Sequence, residues 1–367
     1  MKNRILIIGS TGQLGSKLLK YCYNNDINVD SIVCFKNKKK LLKQKNEFGI
    51  NNYFCLNSNG DKKLFNNYIS KKKIKIIYFL DYGSDSLEYF EKINSINSKS
   101  IFAIANKEMI IAGGRTLINN INNNSNIFIP LDSEHFSLMN SNTLNNDISK
   151  IYITASGGPF YFKKKINLKN VSFKQVINHP KWKMGISNSI DSSNFINKVL
   201  EIFELSIIYN IDISKIDFLV SRDAFIHSVI IYDDSTISFN CFDNDMIIPL
   251  TKPLTYLFNK KIKSNKSQSS KIFNFKNLKV EPFNDKRFKI RKYLNYFKNL
   301  NHTQRIKFML LNNHSHNLYA TNKLKYDNII EYIYDNLRKD YSDMSFKNIK
   351  EIINFIKKFK LKNEIFN

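Results

Sequence analysis

The sequence predicts an α/β fold, with a parallel sheet first, a mixed α+β region next and helices last. Three observations carry this. From Ile5 to Ala105, short apolar runs alternate with amphipathic stretches, the signature of strands and helices in a parallel α/β sheet. The first run ends in a glycine-rich turn, Gly9-Ser10-Thr11-Gly12-Gln13-Leu14-Gly15, that opens a helical stretch. All 11 glycines fall at or before Gly185, so close backbone approaches to ligands belong to the first half.

Taken in order, Ile5–Ile8, Ser31–Phe35, Ile74–Leu80 and Ile101–Ala105 are the predicted early strands, and Gln13–Asn24 the first helix. From about Asp132 to Pro253 the pattern is mixed. It has strands at Lys150–Thr154, Phe225–Tyr232 and Thr236–Cys241, and a strong helix from Ser192 to Tyr209. The polar, core-poor run Lys260–Lys271 reads as a linker. Beyond it, Ile329, Ile330, Ile333 and Leu337 share one helical face, as do Ile349, Ile352, Ile353, Ile356 and Phe359. The lysines opposite the second stripe make a solvated face. The expected organisation is residues 1–131 as a Rossmann-like dinucleotide domain, 132–255 as a catalytic and connective domain, 256–283 as a linker and 284–367 as a helical domain.

The chain has 367 residues, enough for two or three domains at roughly 150 each. Its 57 basic and 31 acidic side chains give 57 − 31 = +26. A hydrophobic content of 43% with 13% aromatics excludes a disordered chain. No apolar run approaches the roughly 18 residues of a membrane span, and the chain opens directly into Arg4-Ile5-Leu6-Ile7-Ile8. No membrane partner and no signal or transit peptide are therefore expected. A charge of +26 raises nucleic acid as a partner. However, the basic residues are scattered, without an Arg-rich tract, and the excess of Lys, Asn and Ile over Gly, Pro and Trp is what AT-rich codons would give. No nucleic-acid partner is expected. Cys22, Cys34, Cys55 and Cys241 lack metal or redox spacing and read as buried thiols in a reducing, cytoplasmic compartment.

The glycine turn carries the first chemistry. Its backbone can approach a pyrophosphate, which then sits on the exposed N–H groups of the following helix. At the end of the second strand, Lys36-Asn37-Lys38-Lys39-Lys40 stands where a dinucleotide's ribose would lie, and a basic cluster there favours NADPH over NADH. A solvated lysine run explains the same residues. Next come Asn106-Lys107-Glu108 and then Asp132-Ser133-Glu134-His135. In extended backbone Asp132 and Glu134 project to one side, and two carboxylates suit Mg²⁺ or Mn²⁺ better than zinc. An acidic loop pair also serves as a solvated turn or helix cap.

Further on, Ser156-Gly157-Gly158 forms a compact turn whose hydroxyl and N–H groups can bind a phosphate or hydroxyl. An ordinary tight turn has the same residues. His179-Pro180-Lys181-Trp182-Lys183-Met184-Gly185 holds the chain's one Trp in a polar loop, which reads as a lid residue; His179 also fits a structural loop histidine. Asp191-Ser192-Ser193 is expected to cap a helix bearing Asn197, Lys198 and Glu201 on one face. Lys198–Glu201 alone fits a surface pair; with Asp132 and Glu134, Glu201 would complete a three-carboxylate metal site.

These segments, in this order, resemble the 1-deoxy-D-xylulose 5-phosphate reductoisomerase family. The resemblance runs through Gly9–Gly15, Asn106–Glu108, Asp132–His135, Ser156–Phe160, His179–Gly185 and Asp191–Glu201, and more faintly through Ile226-His227-Ser228 and Asp245-Met246. It implies an NADPH-dependent enzyme that uses Mg²⁺ or Mn²⁺, with Co²⁺ as a further candidate. Its reaction rearranges deoxyxylulose phosphate and reduces the product to 2-C-methyl-D-erythritol 4-phosphate for isoprenoid synthesis by the non-mevalonate route. It implies Asp132, Glu134 and Glu201 as metal ligands and Lys107 with Ser133 at the substrate's reacting end. Ser156, Ser192, Asn197 and Lys198 would bind substrate phosphate and hydroxyls, with His179 and Trp182 in the lid. The cofactor would meet Ser10, Thr11, Gly12, Gln13, Leu14, Lys36, Asn37, Asn106, Lys107, Glu108 and Gly185. The partners implied are a small phosphorylated sugar and a second copy of the chain. Departures from the family stand at Asp81–Ser86, Ile186-Ser187, Val199 and Ser221–Ala224. The competing readings are another NADPH-dependent oxidoreductase, and a catalytically degenerate homologue retained as a basic binding protein.

Overall fold

In the computed structural model the described residues are 4–139, 147–177, 185–258 and 279–363. They divide into two compact units. One comprises the described parts of Met1–Met139 and Asp245–Ser270, the other those of Asn140–Asn244 and Lys271–Asn367. His179, Trp182 and the Lys260–Lys271 run lie outside the described residues.

The first unit alternates strand and helix. It runs β1 (Ile5–Ile8), α1 (Gln13–Asn24), β2 (Ser31–Cys34), α2 (Lys38–Phe48), β3 (Asn52–Cys55), α3 (Asn59–Lys71), β4 (Ile76–Phe79), α4 (Leu87–Ile96), β5 (Ile101–Ile104), α5 (Lys107–Asn123), β6 (Ile127–Pro130) and α6 (Ser133–Leu138). All pairings are parallel, in the order β3-β2-β1-β4-β5-β6. That is the doubly wound arrangement whose crevice opens at the carboxyl ends of β1 and β4. β1, β4 and β5 are buried end to end, which is why they read as unbroken apolar runs. The sequence reading missed β3 and β6. Each pairs on one side only, so each keeps exposed or half-exposed positions that interrupt the apolar signal.

The second unit begins with β7 (Ile148–Ala155), α7 (Phe173–Ile177), α8 (Ile186–Asn194), α9 (Ile196–Tyr209), β8 (Ile216–Val220), β9 (Ile226–Tyr232) and β10 (Ile237–Cys241). The chain then returns to the first unit as α10 (Ile247–Phe258), where Leu250 and Leu254 join the core under the parallel sheet. Tyr78 donates to the Leu250 carbonyl at 2.9 Å. The expected 255/256 boundary therefore falls inside α10, which is apolar enough to pack rather than link. The second unit closes with β11 (Glu281–Pro282), which pairs β8, then α11 (Ile290–Lys298), α12 (His302–Ala320), α13 (Ile329–Leu337) and α14 (Ile349–Lys362). The expected linker 256–283 thus has structure at both of its ends. The second unit's sheet is mixed, in the order β10-β9-β7-β8-β11. Among the described residues no helix is long and apolar enough to cross a membrane.

Four expectations need correction. The α13 stripe is buried throughout, but in α14 only Ile349, Ile352 and Ile356 are buried; Ile353 and Phe359 are half-exposed. Cys241 is exposed, because β10 is an edge strand with its odd positions facing solvent; the other three cysteines are buried as expected. Asp132 and Glu134 do not share an extended segment: Asp132 caps α6 and Glu134 lies within it. The single helix expected from Ser192 to Tyr209 is two helices, broken at Phe195, so Asp191, Ser192 and Ser193 form the end of α8 rather than a cap.

Phe195 has φ = 67°, a left-handed conformation that an aromatic residue adopts only under compensation. The compensation is packing. Its ring is fully buried, with centroids 4.4 Å from Phe283, 4.9 Å from Phe288, and 5.8 Å from both Tyr161 and Phe218. We expect Phe195→Ala to cost about 3–5 kcal/mol in urea denaturation followed by circular dichroism. Phe195→Gly should be no worse, because glycine recovers the roughly 1–2 kcal/mol of backbone strain. A glycine variant clearly less stable than the alanine variant would show that the break stores no strain.

Candidate active site

The glycine turn is built for close approach. Gly9 has φ = 89°, and a Cβ placed on it would stand 2.5 Å from the Asp81 nitrogen. A Cβ on Gly15 would stand 2.4 Å from the Gly9 carbonyl oxygen, so α1 begins tight against the turn. The Gly9 and Ser10 N–H groups donate to the Val33 carbonyl at 2.9 and 3.0 Å, tying the turn to β2. Gly12 stands at the cap position of α1 and has no side chain to occupy the helix's first N–H groups. This cradle suits a dinucleotide's pyrophosphate.

The turn is braced from α2. Ser10 is fully buried and its hydroxyl donates to Gln44 at 3.0 Å, while the Gln44 amide donates to the Ser10 carbonyl at 2.8 Å. Lys40 donates to the Thr11 carbonyl at 2.7 Å. Gln13 is exposed and Leu14 half-buried in the first turn of α1. Lys36, Asn37 and Lys38 are exposed, and the Asn37 side chain caps α2 by accepting from the Lys40 N–H at 3.0 Å. Gln44 and Lys40 escaped the sequence reading. The visible signal was a glutamine on the Leu41–Phe48 face of an otherwise lysine-rich helix.

Register then brings the next groups together. Ile104 of β5 stands beside Pro130 of β6, so the residues just past each strand emerge at the same end of the sheet. There the Lys107 ammonium pairs with the Asp132 carboxylate. Asp132 also accepts from the Glu134 N–H at 3.3 Å, and the Ser133 hydroxyl donates to the Glu134 carboxylate. Asn106 is buried and caps α5, accepting from the Met109 N–H at 2.9 Å. Its amide donates to Asp81 at 3.0 Å and to the Gly83 carbonyl at 2.8 Å. Glu108 is buried beside it.

In the second unit, β7 delivers Ser156-Gly157-Gly158. A Cβ on Gly158 would stand 2.7 Å from the Ser192 carbonyl oxygen, so this turn packs directly on the end of α8. After the break at Phe195, α9 presents Asn197, Lys198 and Glu201. The Glu201 carboxylate accepts from the Asn197 amide at one oxygen and from the Lys198 ammonium at the other. Lys198 and Glu201 are both buried, which rules out the surface-pair reading. Gly185 precedes α8 and is exposed.

The C-terminal helices hold this end of α8 from behind. Asp191 accepts from Asn312 at 2.9 Å and lies 2.8 Å from the His316 ring nitrogen, while Tyr326 donates to Ser193 at 3.0 Å. Sequence reasoning missed Asn312 and His316. Their spacing of four places both on one face of α12, which buried Met309 shares.

Asp132 and Glu134 in the first unit and Glu201 in the second each offer carboxylate oxygen, the donor type that hard divalent cations take. The glycine cradle and the carboxylate set thus suit a dinucleotide and a divalent metal. Residues 128–209 match the family model of the 1-deoxy-D-xylulose 5-phosphate reductoisomerase C-terminal domain. The chain is 32% identical to 1-deoxy-D-xylulose 5-phosphate reductoisomerase of Pelagibacter ubique, over 89% of this chain and 88% of that protein. It is 30% identical to the Clostridium novyi enzyme of the same name, over 96% of each. Its fold is similar to a solved structure of DOX-P reductoisomerase in complex with NADPH, fosmidomycin and magnesium, with a TM-score of 0.82 at 21% identity over 99% of this chain and 97% of that one. The Zymomonas mobilis enzyme in complex with NADPH gives a TM-score of 0.80 at 20% identity, over 99% and 98%. The chain belongs to the 1-deoxy-D-xylulose 5-phosphate reductoisomerase family.

Proposed function

We propose that this chain converts 1-deoxy-D-xylulose 5-phosphate to 2-C-methyl-D-erythritol 4-phosphate with NADPH and a divalent metal. The observation that supports this most directly is the Lys107–Asp132 pair at the carboxyl end of a dinucleotide-type sheet. In this reading Asp132, Glu134 and Glu201 hold Mg²⁺ or Mn²⁺, with Co²⁺ as an alternative. When bound, the metal supplies Lewis-acid polarisation of the substrate's oxygens, and NADPH supplies hydride.

The chain's own residues do the rest. Lys107 carries a proton and a positive charge to the oxygens that gain electron density, a stabilisation worth most where water is excluded. Ser133 offers a hydroxyl beside the carboxylates. Ser156, Ser192, Asn197 and Lys198 grip the phosphate and hydroxyls, and that remote binding orients the reacting carbons. The Gly9–Gly15 turn, with Thr11, Gly12, Gln13 and Leu14, receives the pyrophosphate. In this reading Lys36 and Asn37 would hold the 2′-phosphate, and Asn106, Glu108 and Gly185 would bind at the nicotinamide.

The decisive test is loss of NADPH absorbance on adding deoxyxylulose phosphate, with and without Mg²⁺, Mn²⁺ or Co²⁺. Metal-dependent consumption is expected; none with any of the three metals would favour the degenerate binding protein. Glu201→Gln should lower turnover by about a hundredfold or more, at least the loss typical of groups behind a metal ligand. NADPH affinity should stay nearly intact, and unchanged turnover would remove Glu201 from the site. Lys36→Ala combined with Lys38→Ala should weaken NADPH by about tenfold, as expected for a lost charged hydrogen bond, and leave NADH little changed. Equal effects on the two nucleotides in binding titrations would refute the 2′-phosphate assignment.

A further inference from the structure

Asp81 stands immediately after β4, at the crevice between the carboxyl ends of β1 and β4, and touches both loops that border it. Its backbone nitrogen fills the space a Gly9 Cβ would need, at 2.5 Å. Its side chain receives the Ser86 hydroxyl at 2.6 Å and the Asn106 amide at 3.0 Å, both on Oδ2. The other oxygen, Oδ1, is sealed from solvent and has no hydrogen-bond partner among the described residues. Such a carboxyl is satisfied on one oxygen and stranded on the other, so that its ionised form is a poorly solvated charge.

We propose that Asp81 is a positioning residue for the dinucleotide, competent when its carboxyl is neutral: its backbone packs against the glycine turn that receives the anionic ligand, and its side chain holds Ser86 and Asn106 at the head of α5. The inference rests on the NADPH reading above. Ionisation sets a buried charge with no partner for Oδ1 at the floor of an anion-binding crevice. The negative charge then stands beside the turn that receives the pyrophosphate and repels it, while the Ser86 and Asn106 bonds keep the carboxylate in place.

The surroundings support this. Burial, with the Glu108 charge adding to it, pushes the Asp81 carboxyl up to about 7, against the hydrogen bonds from Ser86, its own backbone N–H and Asn106 that favour the charged form. The other charged groups on the packed elements are Asp85 and Glu88, both exposed, and Lys107, whose ammonium is engaged by Asp132. The Gly9–Thr11 turn contributes no ionisable side chain. Because the folded-state value lies above the unfolded one, the folded chain holds the extra proton in the window from about 4 to 7. The carboxyl is neutral below that window's upper edge and becomes charged, opposing the anionic ligand, as pH rises through 7.

The test is calorimetric titration of NADPH into the native chain, Asp81→Asn and Ser86→Ala between pH 6 and 8. Asparagine keeps the acceptor for Ser86 and Asn106 and cannot ionise. Titration of the cofactor's own 2′-phosphate is common to all three proteins, so the comparison is between their profiles. Relative to Asp81→Asn, the native dissociation constant should rise about tenfold across this range, as follows for a group that titrates near 7. Ser86→Ala removes a bond that favours the charged form, so its rise should move to higher pH. Parallel native and Asp81→Asn profiles would overturn the proposal. So would an Asp81→Asn chain that no longer binds at pH 6, or a Ser86→Ala profile that does not move. If NADPH binds none of the three at any pH, the cofactor reading itself fails, an outcome distinct from parallel profiles.

Discussion

Every functional group in the first unit hangs from the carboxyl end of a four-residue parallel strand, and the burial of the central strands on both faces governs the rest. β1, β4 and β5 have no exposed position, so a slip in register would drag polar flanking residues into the core. Register is therefore stiff where it matters. It sets Gly9 against Asp81, Asp81 against Asn106, and Lys107 against Asp132. The last strand before each of these contacts ends within two or three residues of the side chain it positions. Little loop remains to blur the geometry, which is what a site of converging groups requires.

The second unit solves the same problem with a helix break. A continuous helix through residues 186–209 would advance by about 100° per residue and could not present both Ser192 and the Asn197–Glu201 face as it does. The left-handed Phe195 resets the direction between them. An aromatic cluster from β8, the segment after β11, and the turn following β7 holds that residue in place. Behind α8, the Asp191–Asn312–His316 node adds directional contacts that an apolar interface would lack. The C-terminal helices and the turn before α13 thus fix the end of α8 that carries Ser192.

What the sequence revealed follows from this physics. Central strands were visible because burial on both faces leaves an unbroken apolar run, and α1 was visible down to its end residues because glycines mark its start. Edge strands β3 and β6 were hidden, since half-exposed positions such as Asn52 and Ile127 carry no period. The break at Phe195 was hidden for a different reason. Nothing about a phenylalanine announces a positive φ; only the rings that gather around it do. The motif residues of the site were legible one by one. Their braces were not, because Gln44, Asn312, His316 and Asp81 gain their roles from contacts between residues far apart in the chain.

The buried charges argue for the site more strongly than the motifs do. Helix α9 is almost entirely interior, yet its first two turns carry Lys198 and Glu201 as a buried pair. Desolvating two such ions costs several kcal/mol each, and their attraction rarely repays more than this. Hydrophobic side chains of similar volume would serve the fold as well or better. The Lys107–Asp132 pair, largely shielded at the end of the parallel sheet, repeats the pattern. Stability alone therefore does not account for either pair. The excess of +26 works at a different range. Spread over solvated lysines it is screened within about 10 Å at ordinary ionic strength, so it can favour encounter with phosphorylated ligands without selecting among them. Selection falls to the few charges held where water cannot reach.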